Sequence, residues 1–193
     1  MEVTIKQKKY KINRLIILEF IRQKKGLTLR ALAENAGYAS QQMYVWYRND
    51  DIYIEQLYNI ASANNMKIEI SLQKRISNFN TFYGDVTIDD VMYRIEDKKI
   101  NPHPNIAKFT PEVLERLKAG GKLKFLAEFM LRTRENSTQF CRKTRLNATS
   151  FKMWMKEDNI KISRIYKIAE AYDAKIIWKL IRDNNEELTY SPD

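Results

Sequence analysis

The sequence predicts a mainly α-helical protein that contains two copies of one module, each ending in a short β-strand. Only 5 Gly and 4 Pro occur among the 193 residues, whereas 30% of them are charged. This composition favours helices over turn-rich β architectures. In addition, residues 14–72 align with residues 122–180 at a constant offset of 108, without any insertion. An ungapped internal match of this length indicates that one structural unit is duplicated.

The repeat is strongest in its second half and sets the domain boundaries. Residues 46–72 and 154–180 are identical at 11 of 27 positions, including Trp46/Trp154, Asp50/Asp158, Ile52/Ile160, Ile54/Ile162, Tyr58/Tyr166 and Ile60/Ile168. The sequence therefore predicts five segments: a basic N-terminal arm (1–13), a first domain (14–72), a connector (73–121), a second domain (122–180) and an acidic tail (181–193).

Two helices are predicted at the start of each copy. The first has an apolar stripe formed by Leu15, Leu18 and either Ile21 or Arg22. In the second copy this stripe is matched by Leu123, Leu126 and either Phe129 or Met130. Thr28 and Asn136 are suitable N-cap residues for the second helix. Asn136 is followed three residues later by Gln139, the spacing of a capping box. Gly37 then indicates a tight turn with positive φ.

A third helix, a fourth helix and a strand complete each copy. The third is predicted over about residues 40–48 and 148–156, with Met43, Trp46, Phe151 and Trp154 buried. Leu57, Ile60 and Ala61, with Ile165, Ile168 and Ala169, form the stripe of the fourth helix. The period then changes to two, because Ile68, Ile70 and Leu72, and likewise Ile176, Trp178 and Leu180, alternate with other residues.

At these positions the chain resembles the Cro/lambda-repressor-like, XRE-type helix-turn-helix family. The resemblance rests on Leu32 and Ala33, then Gly37 and Tyr38, then Met43 and Trp46, and covers about 118 of the 193 residues in two copies. It implies two tandem lambda-repressor-like helix-turn-helix domains, each ending in a short strand, joined by a partly helical connector. The second copy departs from the pattern at Arg145, where the family favours Gly. Both copies also lack the glutamine that many members carry at the position of Leu29 and Ser137.

The resemblance further implies that the third helix of each copy lies in the major groove of double-stranded DNA. The side chains placed to contact bases are Ser40, Gln41, Gln42, Tyr44, Ala148, Thr149, Ser150 and Lys152. Glutamine can bond adenine in a bidentate manner, and serine or threonine can bond several bases. Ser40 and Asn147 have an alternative role as helix caps.

Positive charge is distributed unequally between the copies. The net charge of the chain is +10, of which residues 122–180 contribute +8 and residues 14–72 only +1. Because neutralised phosphates supply much of the affinity for DNA, the second copy is expected to bind more tightly. The predicted backbone contacts are Lys6, Lys8, Lys9, Arg48, Arg142, Lys143, Arg145 and Lys156. The three N-terminal lysines suggest a flexible arm that wraps the duplex, with a frayed terminus as the alternative.

In the connector, the sequence predicts one clear helix start and one region that fits either a helix or a hairpin. Thr110 precedes Pro111 and Glu112, which is typical of a helix with Pro in its first turn. Residues 87–95 suggest another helix, although a hairpin over 82–96 remains open. His103 lies between Pro102 and Pro104, in a sequence typical of a turn.

These patterns lead us to expect a transcriptional regulator of phage, plasmid or bacterial type, either a repressor or an activator, with two unequal half-sites. The alternative is an antitoxin-like protein that binds its operator and a partner protein through an unpaired strand edge at 67–72 or 175–180. Pairing of those strands with each other, within a chain or in a homodimer, is the simpler expectation.

Several other function classes are disfavoured by the sequence. No apolar run approaches the length of a membrane helix, and the single Cys141 excludes an internal disulfide. We therefore expect a cytoplasmic, nucleoid-associated protein without a membrane contact. The sequence offers no phosphate-binding glycine loop, metal-ligand cluster or nucleophile with a nearby base, so neither an enzyme nor a cofactor or metal site is expected.

Overall fold

The computed structural model describes residues 2–5, 8–74, 109–182 and 187–190. It is mainly helical, as the composition predicts, and also holds a small antiparallel sheet. The helices described are α1 Ile16–Lys24, α2 Leu29–Asn35, α3 Ser40–Asn49, α4 Ile54–Ala63, α5 Pro111–Lys118, α6 Lys124–Thr133, α7 Ser137–Thr144, α8 Ala148–Glu157 and α9 Ile162–Ala171. The strands are β1 Glu2–Ile5, β2 Lys8–Lys11, β3 Met66–Lys74, β4 Ala174–Arg182 and β5 Glu187–Tyr190.

The elements repeat at the offset of 108 that the sequence shows. Helices α3 and α8, helices α4 and α9, and strands β3 and β4 begin and end at equivalent residues, while the other two helix pairs differ by one residue at one end. Left-handed backbone conformations repeat as well. They occur at four pairs of equivalent residues, namely Gly26/Arg134, Gly37/Arg145, Asp50/Asp158 and Asn65/Asp173. The duplication in the sequence is therefore a duplication of local structure.

The cores of the two copies are built from the predicted apolar stripes. The stripe residues of α1, α4, α6 and α9 are buried, and so are the alternating apolar residues of β3 and β4. One prediction about the core is wrong, because Trp154 is only half-buried and Met155 is buried beside it. Residue 155 faces inward because it lies four positions after the buried Phe151, one helical turn along the same stripe.

The predicted helix caps are present. The hydroxyl oxygen of Thr28 accepts from the Ala31 amide at 3.1 Å. The Asn136 side chain accepts from the Gln139 amide at 2.9 Å, and the Gln139 side chain accepts from the Asn136 amide at 3.0 Å, which completes the predicted capping box. Thr110 caps α5 in the same way, accepting from the Val113 amide at 3.4 Å. These caps satisfy amides that have no partner within their helices.

The chain forms two compact units that differ from the two sequence copies. The first comprises Met1–Ile70, Lys161–Tyr166 and Ile176–Asp193, and the second comprises Ser71–Ile160 and Lys167–Lys175. The first unit takes these segments because β4 lies between β3 and β5 in one sheet. In addition, Tyr53 forms an antiparallel bridge with its repeat equivalent Lys161, and the Ile162 amide donates to the Ile52 carbonyl at 2.9 Å.

Both ends of the chain contain strands that the sequence did not predict. Strands β1 and β2 form an antiparallel hairpin in which Val3 pairs with Tyr10, so this segment is not the flexible arm we expected. The predicted acidic tail contains β5, in which Leu188 pairs with Leu180 and Tyr190 with Trp178. The strands of both ends contain β-branched or aromatic residues such as Val3, Tyr10 and Tyr190, which are residue types that favour β-structure.

Candidate functional site

The outward face of α3 is the first part of the candidate site. Its inner face buries Met43, Trp46 and Tyr47, which fixes the direction of the remaining side chains. Of the predicted base-contacting residues, Gln41 is exposed, whereas Ser40, Gln42 and Tyr44 are half-buried. Arg48, a predicted backbone contact, is exposed near the end of the same helix. Ser40 is the first residue of α3 rather than its cap, because Ala39 occupies the N-cap position.

The outward face of α8 is the second part. Phe151 and Met155 face inward, while the outward side chains are mostly exposed. Of the predicted contacts on this helix, Ala148, Thr149, Lys152 and Lys156 are exposed and Ser150 is half-buried. Asn147 accepts a hydrogen bond from the Ser150 amide at 2.9 Å and therefore acts as the N-cap of the helix, the alternative role given for it above.

Sequence reasoning missed one residue on each of these helices. Val45 and Met153 are large hydrophobic residues that are nonetheless 42% and 48% exposed. They lie at equivalent positions of the repeat, on the outward face of α3 and of α8. The available signal was their spacing, because each lies four residues after a predicted base contact, Gln41 or Thr149, and therefore on the same helical stripe.

An aspartate at the end of α3, and another at the end of α8, accepts hydrogen bonds from amides at the start of the first helix of the same copy. The Asp50 carboxylate accepts from the Arg14 and Leu15 amides at 3.0 and 3.1 Å. The equivalent Asp158 accepts from the Lys122 and Leu123 amides at 2.7 and 2.9 Å. Both aspartates have left-handed backbones that end the helix. The same residue thus terminates the helix and anchors it in both copies.

The side chains that pack beneath the inner faces of α3 and α8 differ in chemical type between the two copies. In the first copy Glu19 is only 1% exposed and accepts from Arg22 Nε at 2.8 Å, from Gln23 at 3.0 Å and from the Tyr47 hydroxyl at 3.0 Å. The repeat equivalents of Glu19, Arg22 and Tyr47 are the buried apolar residues Ala127, Met130 and Met155. A buried polar network in one copy therefore corresponds to an apolar core in the other.

This network shifts the ionisation of its members. Burial alone raises the pKa of Glu19, but the hydrogen bond and positive charge of Arg22, with the donors of Gln23 and Tyr47, lower that pKa below the ordinary glutamate value of 4.5. Burial and the adjacent carboxylate raise the pKa of the Tyr47 hydroxyl. Glu19 is thus held as a carboxylate and Tyr47 as a neutral donor.

Basic side chains surround the turn between α7 and α8. Arg142, Lys143 and Arg145, three of the candidate backbone contacts named above, are all exposed. Lys143 is also engaged within the unit, because its ammonium group lies 4.0 Å from the centre of the Tyr172 ring and 3.5 Å from Glu135 Oε1. Arg145 has φ 53°, which a glycine would adopt more easily. The departure from the family pattern therefore lies at a left-handed position.

Helix α5 lies beside α8 and supports its C-terminal end. The Arg116 guanidinium donates to the carbonyl oxygens of Met155 and Lys156, which are among the last carbonyls of α8 and have no partner within the helix. Between the two helices runs an open groove of about 790 Å³ whose lining includes Val113, Phe151, Lys152 and Lys156. Helix α5 therefore bounds one side of the outward face of α8.

The N-terminal candidates are only partly covered by the structure. Lys8 and Lys9 lie on β2, where they pair with Ile5 and Thr4. Lys6 lies outside the described residues, as do the predicted helix or hairpin near residue 88 and the predicted turn at His103.

The comparisons with family models, with curated proteins and with solved structures found no match to this chain. Within the described residues, no helix is long and apolar enough to cross a membrane. The same part of the chain holds no group of His, Cys, Asp and Glu side chains that could bind a metal ion. Cys141 is buried, and burial raises the pKa of its thiol. The candidate site consists of the outward faces of α3 and α8, because exposed polar and cationic side chains lie together there.

Proposed function

We propose that this protein is a sequence-specific, double-stranded DNA-binding transcriptional regulator with two unequal recognition helices, α3 and α8. The observation that carries the proposal is the pair of equivalent helices, each with a buried inner face and an accessible outward face of amide, hydroxyl or cationic side chains. Such side chains match the donors and acceptors that bases present in the major groove. The resemblance to tandem XRE-type helix-turn-helix domains supports the same assignment.

The two helices would read different sequences. The first offers Gln41, Gln42 and Tyr44, whereas the second offers Thr149, Ser150 and Lys152 at the equivalent positions. The target is therefore a pair of related but unequal half-sites, which gives an imperfect palindrome. The regulator would be of phage, plasmid or bacterial type and would act in the cytoplasm on the nucleoid.

Phosphate contacts would come mainly from the second copy. It carries a net charge of +8, against +1 for the first, and Arg142, Arg145 and Lys156 are exposed around α7 and α8. Each phosphate contact releases counterions, so affinity should fall steeply as salt is raised.

An antitoxin-like function is less well supported. That alternative needs a free strand edge for a partner protein, and one candidate was the strand at residues 175–180. This strand is β4, which is paired on one side with β3 and on the other with β5 of the same chain. Both edges of β4 are therefore used within the chain, whereas β3, which holds the other candidate segment 67–72, lies at an edge of this sheet. DNA binding as proposed does not depend on that edge, so the antitoxin-like function stays an alternative.

Binding of the full chain to labelled duplex DNA tests the proposal. A pool of random 30-base-pair duplexes would be enriched for binders over several rounds, and the affinity for an enriched duplex would be measured by fluorescence anisotropy against random competitor. We expect at least a thousandfold preference for the enriched sequence, the lower end for specific DNA-binding proteins. Equal affinity for all duplexes would contradict the proposal.

A pair of single substitutions provides the internal control. Lys156→Ala removes an exposed cation from α8 and should reduce the slope of log affinity against log salt by about one. Lys67→Ala removes an exposed lysine on β3 that is paired with Glu69 at 2.8 Å, and should leave the slope unchanged. Equal slopes for both variants would mean that α8 does not face the duplex.

A further inference from the structure

Two exposed apolar side chains recur at equivalent positions of the repeat. Among the described residues, the large hydrophobic side chains with marked exposure are Val45, Tyr53 and Met153, at 42%, 39% and 48%. Val45 and Met153 are separated by the repeat offset of 108. A single exposed apolar residue is ordinary on a soluble protein. Two at the same place in both copies, where neighbouring positions have diverged, indicate a shared role.

Both residues lie in the middle of a polar face. Val45 is four residues after Gln41 and three before Arg48, so the three side chains share one helical stripe. Met153 lies between Thr149 and Lys156 at the same spacings. All four flanking residues are exposed, and the inner faces of both helices are already packed. Each apolar side chain is thus set between a hydrogen-bonding group and a cation.

This arrangement suits one apolar feature of the DNA major groove. The edges of the bases there present donors and acceptors, and the C5-methyl group of thymine is the exception. The adjacent cation and hydrogen-bonding group suit the phosphates and the neighbouring base edges. Resting on the proposed function, we infer that Val45 and Met153 each contact the C5-methyl group of a thymine at the same place in the two half-sites.

The two half-sites would then share one base and differ at the bases beside it. Both half-sites would contain the thymine, while the bases next to it would differ because Gln41 and Gln42 in one copy correspond to Thr149 and Ser150 in the other. The two contacts would also differ in strictness. Valine is stiff at χ1, whereas methionine is flexible and adapts its shape, so the thymine opposite Val45 would be the more strictly required one.

Replacement of thymine by uracil tests this contact, because uracil lacks only the C5-methyl group. The full chain would first select a duplex from the random pool, and each thymine of that duplex would then be replaced singly. We expect affinity to fall about fourfold at one thymine in each half-site, the effect of one buried methyl group. Val45→Ala should remove the penalty in one half-site, and Met153→Ala should remove it in the other.

Tyr53→Ala is the matched control, because Tyr53 is similarly exposed but lies at the start of α4, and it should leave both penalties unchanged. Circular dichroism would verify that the variants fold. If a duplex is enriched but neither Val45→Ala nor Met153→Ala removes a uracil penalty, this inference is overturned while the proposed function stands. If no duplex is enriched, both are overturned.

Discussion

The buried Glu19 network is the clearest difference between the copies at the level of single residues. The carboxylate of Glu19 accepts hydrogen bonds from three side chains, those of Arg22, Gln23 and Tyr47, and is shielded from water. A buried ion pair adds little stability compared with apolar packing, but removal of one partner is costly because the other charge is left without compensation. The second copy demonstrates an apolar alternative at the same positions.

We predict that Glu19→Ala destabilises the protein by about 3 kcal/mol at pH 7, because Arg22 and Tyr47 lose their acceptor. The triple variant Glu19→Ala, Arg22→Met, Tyr47→Met copies the apolar set of the second copy and should recover more than half of that loss. Urea-induced unfolding measures both. A triple variant less stable than the single one would show that the two cores are not interchangeable.

The same network should give the protein a sensitivity to acid. The pKa of Glu19 is lowered in the folded state, so the network stabilises the fold fully above pH 4.5, where unfolded glutamate is ionised. This contribution is lost as the pH falls through the lowered pKa of the folded state. A series of unfolding curves from pH 7 to pH 3 should therefore show a smaller decline for the triple variant than for the unmodified chain. Equal declines would exclude Glu19 as the source.

Substitutions at the equivalent turn residues Gly37 and Arg145 should change the free energy of unfolding in opposite directions. Both have left-handed backbones, with φ 73° and 53°, and a non-glycine residue there loses about 1 kcal/mol. Arg145→Gly should therefore raise the free energy of unfolding by up to about 1 kcal/mol, reduced by the entropy of glycine in the unfolded chain. Gly37→Ala should lower it by about 1 kcal/mol although no atom lies within 4 Å of the added Cβ. Thermal melts measure both changes, and changes of the same sign would contradict the assignment.

At the residue scale, sequence reasoning succeeded where local chemistry decides the outcome. The cap residues Thr28 and Asn136 were predictable because their side chains bond amides three residues away. Glu19 was not predictable, because its inclusion in the core depends on Tyr47, 28 residues along the chain. Val45 was missed because a valine on a helix is ordinarily expected to face the core.

The helices and strands were predictable to different degrees. The first and fourth helices of each copy have apolar stripes of period 3.6, and the third helices lie within one residue of their predicted bounds. Strands β1, β2 and β5 are only four residues long, too short for a clear alternation signal. Their existence depends on pairing partners, which a local pattern does not reveal.

At the scale of elements, the helix-terminating aspartates should be interchangeable in their effect. Asp50→Ala removes the acceptor of three backbone amides, those of Asn13, Arg14 and Leu15, and Asp158→Ala removes the acceptor of two. Each variant should cost about 2 kcal/mol of unfolding free energy. Asp50→Asn and Asp158→Asn keep one carbonyl acceptor and tolerate the left-handed backbone, but their NH2 group turns a donor towards the other backbone N–H. They should therefore recover only part of the loss. Chemical denaturation measures all four variants. A large effect in only one copy would mean that the repeated hydrogen bonds do not have equivalent roles.

In the whole molecule, positive charge is concentrated in the second copy, and this follows from the sequence alone. If the chain binds DNA as proposed, the second copy should dominate the dependence on salt. Arg142→Gln with Lys156→Gln should reduce the slope of log affinity against log salt by about two. In the first copy, Arg30 is already paired with Glu34 at 2.7 Å, so Arg30→Gln with Arg48→Gln should reduce the slope by about one at most. Equal reductions would contradict an unequal division of phosphate contacts.

The central claim is that α3 and α8 each read bases, and the most direct measurement is selection of bound duplexes from a random library by the full chain and by two double variants. Gln41→Ala with Gln42→Ala should relax the sequence of one half of the selected site, and Thr149→Ala with Lys152→Ala should relax the other half. Selected sites that remain unchanged with both double variants would contradict the claim.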